Sequence, residues 1–204
     1  MLLRGVYAIT DNNLLPESKL LESVEQALEG GIKLLQYRNK TGNWHDKVNQ
    51  ARALQLLCAS FEVPLIINDD TQLCIETNAS GVHIGQSDIK LREARKALGK
   101  EAIIGVTCHS SIEAALDAQS LGANYVAFGR FFPSATKPEA PGADTDVLHQ
   151  ARKTLNIPIV AIGGINAKNG TALIDAGADM LAVVNYLFAE KAVHQRARLL
   201  AELF

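Results

Sequence analysis

A short apolar segment followed by a segment with helical periodicity recurs eight times along the 204 residues, and this alternation constrains the fold more than any other feature of the chain. GVYAIT precedes SKLLESVEQALEGG, KLLQYR precedes WHDKVNQARALQLLCASF, PLIIN precedes TQLCIETNAS, and GVHIG precedes IKLREARKALG. AIIGVT, NYVAFG, PIVAIGG and DMLAVV open the later units, the last of them leading into a terminal helix that ends in RLLAELF. Near-continuous Val, Ile and Ala runs suit strands buried on both faces, and parallel strands need crossover helices between them. The expected class is therefore α/β, a closed (β/α)8 or TIM barrel forming one domain over residues 1–204. An open doubly wound sheet is the alternative, but no G-x-G-x-x-G opens the first helix and no long linker divides the chain.

Local signals agree with these elements. Asn43 with Asp46, and Ser110 with Glu113, have the spacing of helix caps with an acidic partner three residues on. Gly30–Gly31, Gly122 and Gly177 fall where helices need left-handed exits. An apolar share of 48% and a formal net charge of -2 lack the polyelectrolyte character of a nucleic-acid or membrane binder. MLLRGVYAIT has too short an apolar run for a signal peptide and reads as a first strand, which predicts a cytoplasmic protein. Cys58, Cys74 and Cys108 are odd in number and widely spaced, so neither a disulfide framework nor a zinc site is indicated. Buried thiols are expected, with Cys108 placed beside a strand end where it could be reactive.

In a parallel barrel the loops at the C-terminal ends of the strands form the active face, so the polar residues there are read as one ring. In QYRNK, residues Gln36, Arg38 and Lys40 alternate and face one volume while the chain stays extended. Two cations and an amide suit a di- or triphosphate better than a neutral ligand, although a solvated turn has the same composition. Asp69 and Asp88 come from neighbouring strand ends and could share a magnesium ion with water and phosphate oxygens. Helix capping competes for Asp69, Asp70 and Asp88, each of which precedes a helical segment. His83 lies inside a strand and reads as an interior histidine, and His109 could cap a helix, so no general base is assigned. Gly163 and Gly164 permit close backbone approach after the seventh strand, where barrels often hold a phosphate, or they make a tight turn. The stretch FGRFFPSATKPEAPG places Ser134, Thr136 and Lys137 on a Pro- and Gly-containing loop that reads as a lid over phosphate. Two phosphate regions on one barrel suggest two phosphorylated small-molecule substrates and a transferase.

QYRNK, IINDD, GVHIGQSD, IGVT, FGRFFPSATKP, VAIGGI and GADMLAVVN, in this order and covering essentially the whole chain, resemble the thiamine-phosphate synthase family. The resemblance implies joining of hydroxymethylpyrimidine diphosphate to hydroxyethylthiazole phosphate, with Mg2+, to give thiamine phosphate and pyrophosphate. It implies that Gln36, Arg38, Lys40, Asn68, Thr107 and Lys137 hold the pyrimidine diphosphate, with Arg38, Lys40 and Lys137 catalytic and Asp69 and Asp88 on the metal. It implies further that Ser134, Ala135, Thr136, Gly164, Val184 and Asn185 line the thiazole phosphate site. Thr107 and Ser134 each exchange one hydroxyl residue for another relative to the commoner pattern, Asn185 stands where serine is usual, and Asp70 replaces a frequent arginine. A thiazole tautomerase on the same barrel, or a non-catalytic barrel that binds a phosphorylated ligand and regulates a partner, are the competing readings. A homo-oligomer is left open by the sequence.

Overall fold

The computed structural model describes residues 3–85, 88–133 and 142–204, except the side chains of Asp88 and Ile89. Its strands are β1 (Gly5–Ile9), β2 (Leu34–Tyr37), β3 (Leu65–Asn68), β4 (Gly81–Ile84), β5 (Ile103–His109), β6 (Tyr125–Phe128), β7 (Ile159–Ile162) and β8 (Met180–Val183). They pair in sequence order, all parallel, and β8 returns to β1 to close the barrel. The crossovers are α1 (Glu17–Glu29), α2 (Trp44–Ser60), α3 (Thr71–Thr77), α4 (Asp88–Leu98), α5 (Ile112–Ser120), α6 (Asp146–Thr154) and α7 (Gly170–Asp175). The expected terminal helix is two pieces, α8 (Asn185–Phe188) and α9 (Val193–Ala201). No helix among the described residues is long and apolar enough to cross a membrane.

Because strand side chains alternate, each four-residue strand feeds two cores. Tyr7 and Ile9 of β1, Ile66 of β3, Tyr125 and Ala127 of β6 and Val160 of β7 fill the barrel interior. Val6, Ala8, Ile67, Val126 and Phe128 face outward and pack with buried helix residues such as Val24, Leu54 and Leu148. The N-terminal face is stapled by arginines. Arg95 donates to the carbonyls of Gly99, Ala102 and Gly122 and to Asn124 Oδ1, and Arg152 donates to the Gly177 carbonyl and pairs with Asp179. These residues fix the loops entering the strands and leave the opposite face for chemistry.

Two local expectations resolve differently, those for Ser110 and Gly30. Asn43 caps α2 as the spacing predicts, accepting from the Asp46 N–H at 2.9 Å, but α5 is capped by Ser111, not Ser110. β5 runs two residues past the predicted strand, to His109, and this extension pushes the cap one position on. Gly31, Gly122 and Gly177 have positive φ, whereas Gly30 is right-handed at φ -73°. Gly30 is small for another reason: a Cβ there would lie 2.4 Å from the Ala197 Cβ and 2.7 Å from the His194 carbonyl, so it is the contact that lets α9 pack on α1.

Candidate active site

The C-terminal ends of the strands open into a cavity of about 620 Å3. Gln36, Arg38, Asn68, Asp69 and Thr107 line it from β2, β3 and β5, and Gly163, Gly164, Val184 and Asn185 line it from beyond β7 and β8. In an eight-stranded ring β3 lies opposite β7, so the two groups face each other across the mouth. Lys40 is exposed and lies outside this lining, because β2 ends at Tyr37 and the extended run does not carry its alternation that far. Ser134, Ala135, Thr136 and Lys137 lie outside the described residues, as does most of the predicted lid and the side chain of Asp88.

Arg38 is held in place by a residue that the sequence reading passed over. Its Nη1 donates to Asp11 Oδ2 at 2.9 Å, with both side chains largely buried, and its backbone N–H donates to Thr10 Oγ1 at 2.9 Å. Thr10-Asp11 directly follows β1, so reading the first strand end as part of the ring would have found it. One edge of the guanidinium is thus spent on Asp11 while the residue still borders the cavity.

The turn after β3 separates the aspartates. Asp70 is the cap, its Oδ1 accepting from the Leu73 N–H at 2.8 Å, which frees Asp69 from that task. Asp69 sits at φ 61° in a tight turn closed by the Asp70 N–H on the Asn68 carbonyl at 2.8 Å. Positive φ in a non-glycine residue is uncommon and collects at functional sites, with Asp among the residues that tolerate it. The turn leaves the Asp69 carboxylate exposed at the cavity, accepting from Asn68 Nδ2 at 2.8 Å. An exposed carboxylate of this kind is the hard oxygen donor that magnesium takes.

The barrel interior beneath these groups is polar along one line. Gln36 Nε2 donates to Tyr7 Oη at 2.5 Å, Tyr7 Oη meets Tyr125 Oη at 2.7 Å, Tyr125 Oη meets His83 Nδ1 at 3.0 Å, and His83 Nε2 meets Thr107 Oγ1 at 2.8 Å. Burial raises both phenol pKa values above the ordinary range, so both stay protonated hydrogen-bonding groups at any working pH. His83 is therefore the interior histidine that its strand position predicts, and it also borders the cavity. The line joins Gln36 to Thr107, two residues assigned to the same substrate by resemblance.

Across the mouth, the Phe131 and Phe132 N–H groups donate to the carbonyls of Ile162 and Gly163 at 3.2 and 3.0 Å. A Cβ on Gly164 would lie 2.4 Å from the Pro133 carbonyl, so the glycine turn and the base of the Ser134–Lys137 loop are packed as one unit. At the end of β5 a register shift between Thr107 and His109 keeps both residues on the cavity. Cys108 between them turns into the outer core, where burial pushes its thiol up to about 12. This excludes a reactive thiol at that strand end. Cys58 and Cys74 are buried too and are pushed up to about 12 and 11. Iodoacetamide at pH 8 should accordingly leave the native protein unlabelled and modify three thiols once denaturant is added; rapid native labelling of Cys108, read by peptide mass, would contradict the placement.

Comparison with known proteins places this arrangement. The sequence model of a family described as thiamine monophosphate synthase matches residues 6–187. A thiamine-phosphate synthase of Marinobacter nauticus is 54% identical over 184 residues, 90% of this chain and 82% of its own length. One from Thioalkalivibrio sulfidiphilus is 48% identical over 202 residues, 99% of this chain and 96% of its own. The solved thiamine phosphate pyrophosphorylase of Pyrococcus furiosus superposes with a TM-score of 0.88 at 30% identity, over 98% of this chain and 94% of that one. With the match running from β1 to α8 and both sides of the mouth inside it, the chain belongs to the thiamine monophosphate synthase family.

Proposed function

We propose that the protein joins 4-amino-2-methyl-5-hydroxymethylpyrimidine diphosphate to 4-methyl-5-(2-hydroxyethyl)thiazole phosphate, releasing pyrophosphate. The observation that carries this is the facing of two unlike phosphate regions across one cavity: Arg38, Asn68 and Asp69 on one side, and the Gly163–Gly164 turn with Val184 and Asn185 on the other. The first region combines charge with hard oxygen and suits a diphosphate, while the second offers close backbone approach and suits a monoester. A thiazole tautomerase has no use for the first region.

The thiazole nitrogen attacks the pyrimidine methylene as the C–O bond to pyrophosphate breaks, and no proton need be removed before attack. Arg38, together with Lys40 and Lys137 as the resemblance implies, offsets negative charge that grows on the departing oxygens, which favours the transition state over the bound substrate. Gln36, Asn68 and Thr107 position the pyrimidine part. Ser134, Ala135, Thr136, Gly164, Val184 and Asn185 hold the thiazole phosphate. Asp69 and Asp88 would hold magnesium, which when bound would further neutralise the diphosphate. Both substrates are small and phosphorylated, with no part for nucleic acid or membrane. Three buried free thiols are in keeping with a cytoplasmic protein, and a homo-oligomer is compatible with this chemistry.

Incubation with both substrates and magnesium should yield thiamine phosphate and pyrophosphate in equal amounts. Ligand binding with no pyrophosphate release would favour a regulatory barrel. Asp69→Asn tests the carboxylate itself, because asparagine tolerates the same left-handed backbone. Loss of a group that merely supports a metal ligand costs up to about 100-fold, so removing the ligand charge should lower turnover by about 100-fold or more. The variant should melt as the wild type does. An Asp69→Asn enzyme with wild-type rate and magnesium dependence would remove Asp69 from the metal.

A further inference from the structure

Beyond β8 the cavity is bordered by Tyr186, Ala189, Glu190 and Arg196, which have no part in the reading so far. Arg196 reaches back from α9 to the residue that directly follows Asn185. Its Nη1 donates to the Tyr186 carbonyl at 2.7 Å, and its guanidinium carbon lies 5.0 Å from the centroid of the Tyr186 ring. Its Nη2 pairs with Glu190 Oε2. The partners are unequal: the Arg196 side chain is 19% exposed and that of Glu190 is 69% exposed. Arg196 is thus fixed from two directions by Tyr186, whereas Glu190 is tethered at the tip of a solvated side chain.

Resting on the proposed function, we infer that Arg196 is a specificity-determining residue for the thiazole phosphate, and that the Glu190 carboxylate occupies its fork until the phosphate displaces it. Two bonds of the guanidinium go to Tyr186 and Glu190, out of five N–H groups that arginine presents in one plane. A carboxylate and a phosphate offer that fork the same pair of acceptor oxygens, and the phosphate brings more charge. An exposed ion pair contributes little to stability, so holding Glu190 in this position is not required by the fold. Arg196 sits at the β8 end against the residue after Asn185, which the resemblance gives to the thiazole phosphate, and β8 is separated from the Asp69 strand end by β1 and β2, which assigns Arg196 to the monoester and not to the diphosphate.

The test compares Arg196→Gln, Arg196→Lys and Glu190→Gln with the wild type in the full-length protein. Equilibrium titration with thiazole phosphate alone needs no turnover, so its outcome is independent of whether product forms. Arg196→Gln should weaken that binding by about 10-fold or more, as expected for loss of a charge-assisted fork, with Arg196→Lys between it and the wild type. Glu190→Gln should tighten it by about 2- to 5-fold, because a competitor for the fork is gone. In steady-state assays the KM for thiazole phosphate should follow the same order while that for pyrimidine diphosphate moves less than about 2-fold. The unphosphorylated hydroxyethylthiazole should bind Arg196→Gln as it binds the wild type. An ion pair that only braces α8 against α9 predicts otherwise: Glu190→Gln and Arg196→Gln would then weaken binding together, and the alcohol would suffer as much as the phosphate. Either of those results, or unchanged binding in Arg196→Gln, overturns the inference. Absence of thiamine phosphate from the wild-type reaction, with the binding order intact, would instead refute the synthase reading alone.

Discussion

Gly105→Ala is expected to lose about 3 kcal/mol or more of stability, a fall in melting temperature of about 6–12 °C for a chain of this length, and about 100-fold in turnover. A Cβ at Gly105 would stand 1.9 Å from Cζ and 2.4 Å from the hydroxyl of Tyr125, a ring that is fully buried and has nowhere to move. Gly105 pairs with Tyr125 across β5 and β6 and with His83 across β4 and β5, so its missing side chain is the space the aromatic ring occupies. Pushing the ring aside also parts Tyr125 from Tyr7 and His83, and with them the link between Gln36 and Thr107. Adding Tyr125→Leu removes every ring atom that the new Cβ would meet. The double variant should recover much of the melting temperature and little of the turnover, since the hydroxyl does not return. Tyr125→Phe alone keeps the ring and strands the groups it bonded, at about 1–3 kcal/mol. Differential scanning calorimetry with pyrophosphate release separates the two effects. A Gly105→Ala enzyme that melts normally would show that the ring has room, and a fully active Tyr125→Phe would show that the polar line positions nothing.

That line was only half legible in the sequence. The eight strands were readable because each is a short run of apolar residues followed by a helix-length segment, and the reading placed Gln36, Arg38, Asn68, Asp69, Thr107 and Gly164 at strand ends, where the structure has them lining one cavity. What a linear pattern cannot supply is which inward-facing residues of non-adjacent strands meet. Tyr7 and Tyr125 are 118 positions apart and sit in runs that look purely apolar, so their hydrogen bond is set by barrel closure alone. His83 was legible as an interior residue, but not the partners that satisfy it. The choice among Asp69, Asp70 and Asp88 as helix caps depended on backbone geometry: the left-handed turn at Asp69 hands the cap to Asp70. Arg196 lies on a helix with ordinary amphipathic patterning and reaches the cavity only because α8 and α9 are two pieces rather than one. In the sequence Gly163 and Gly164 read as a phosphate cradle or a tight turn, but the packing of Gly164 on the Pro133 carbonyl means that a side chain there would also displace Pro133, just ahead of the segment that holds Lys137. The defect of a Gly164 variant should therefore extend to both substrates.

The second large effect is expected from Arg38→Ala, which should lower stability by about 3–5 kcal/mol and turnover by about 100- to 1000-fold. The two losses have separate causes. Asp11 is 7% exposed, and without Arg38 its carboxylate keeps, among the described residues, the Asn13 N–H, at 3.0 Å, as its one hydrogen-bond partner. A buried charge left in that state is costlier than the pair was favourable. The catalytic loss comes from the other edge of the guanidinium, which borders the cavity where the diphosphate charge must be offset. Adding Asp11→Asn to Arg38→Ala removes the stranded charge while keeping the shape and the acceptor for Asn13, so melting should recover by several degrees. Turnover should stay low, and the KM for pyrimidine diphosphate should stay raised, because no cation has been restored. Arg38→Lys should show the reverse balance, retaining most of the stability and part of the rate, since an ammonium can answer Asp11 but cannot serve Asp11 and a phosphate oxygen from one rigid plane. Urea unfolding and steady-state kinetics on the wild type, Arg38→Ala, Asp11→Asn and the double variant form a double-mutant cycle. If Asp11→Asn restored the rate of Arg38→Ala along with its stability, Arg38 would be a structural residue only, and the diphosphate would have to be held by the lysines of the loops.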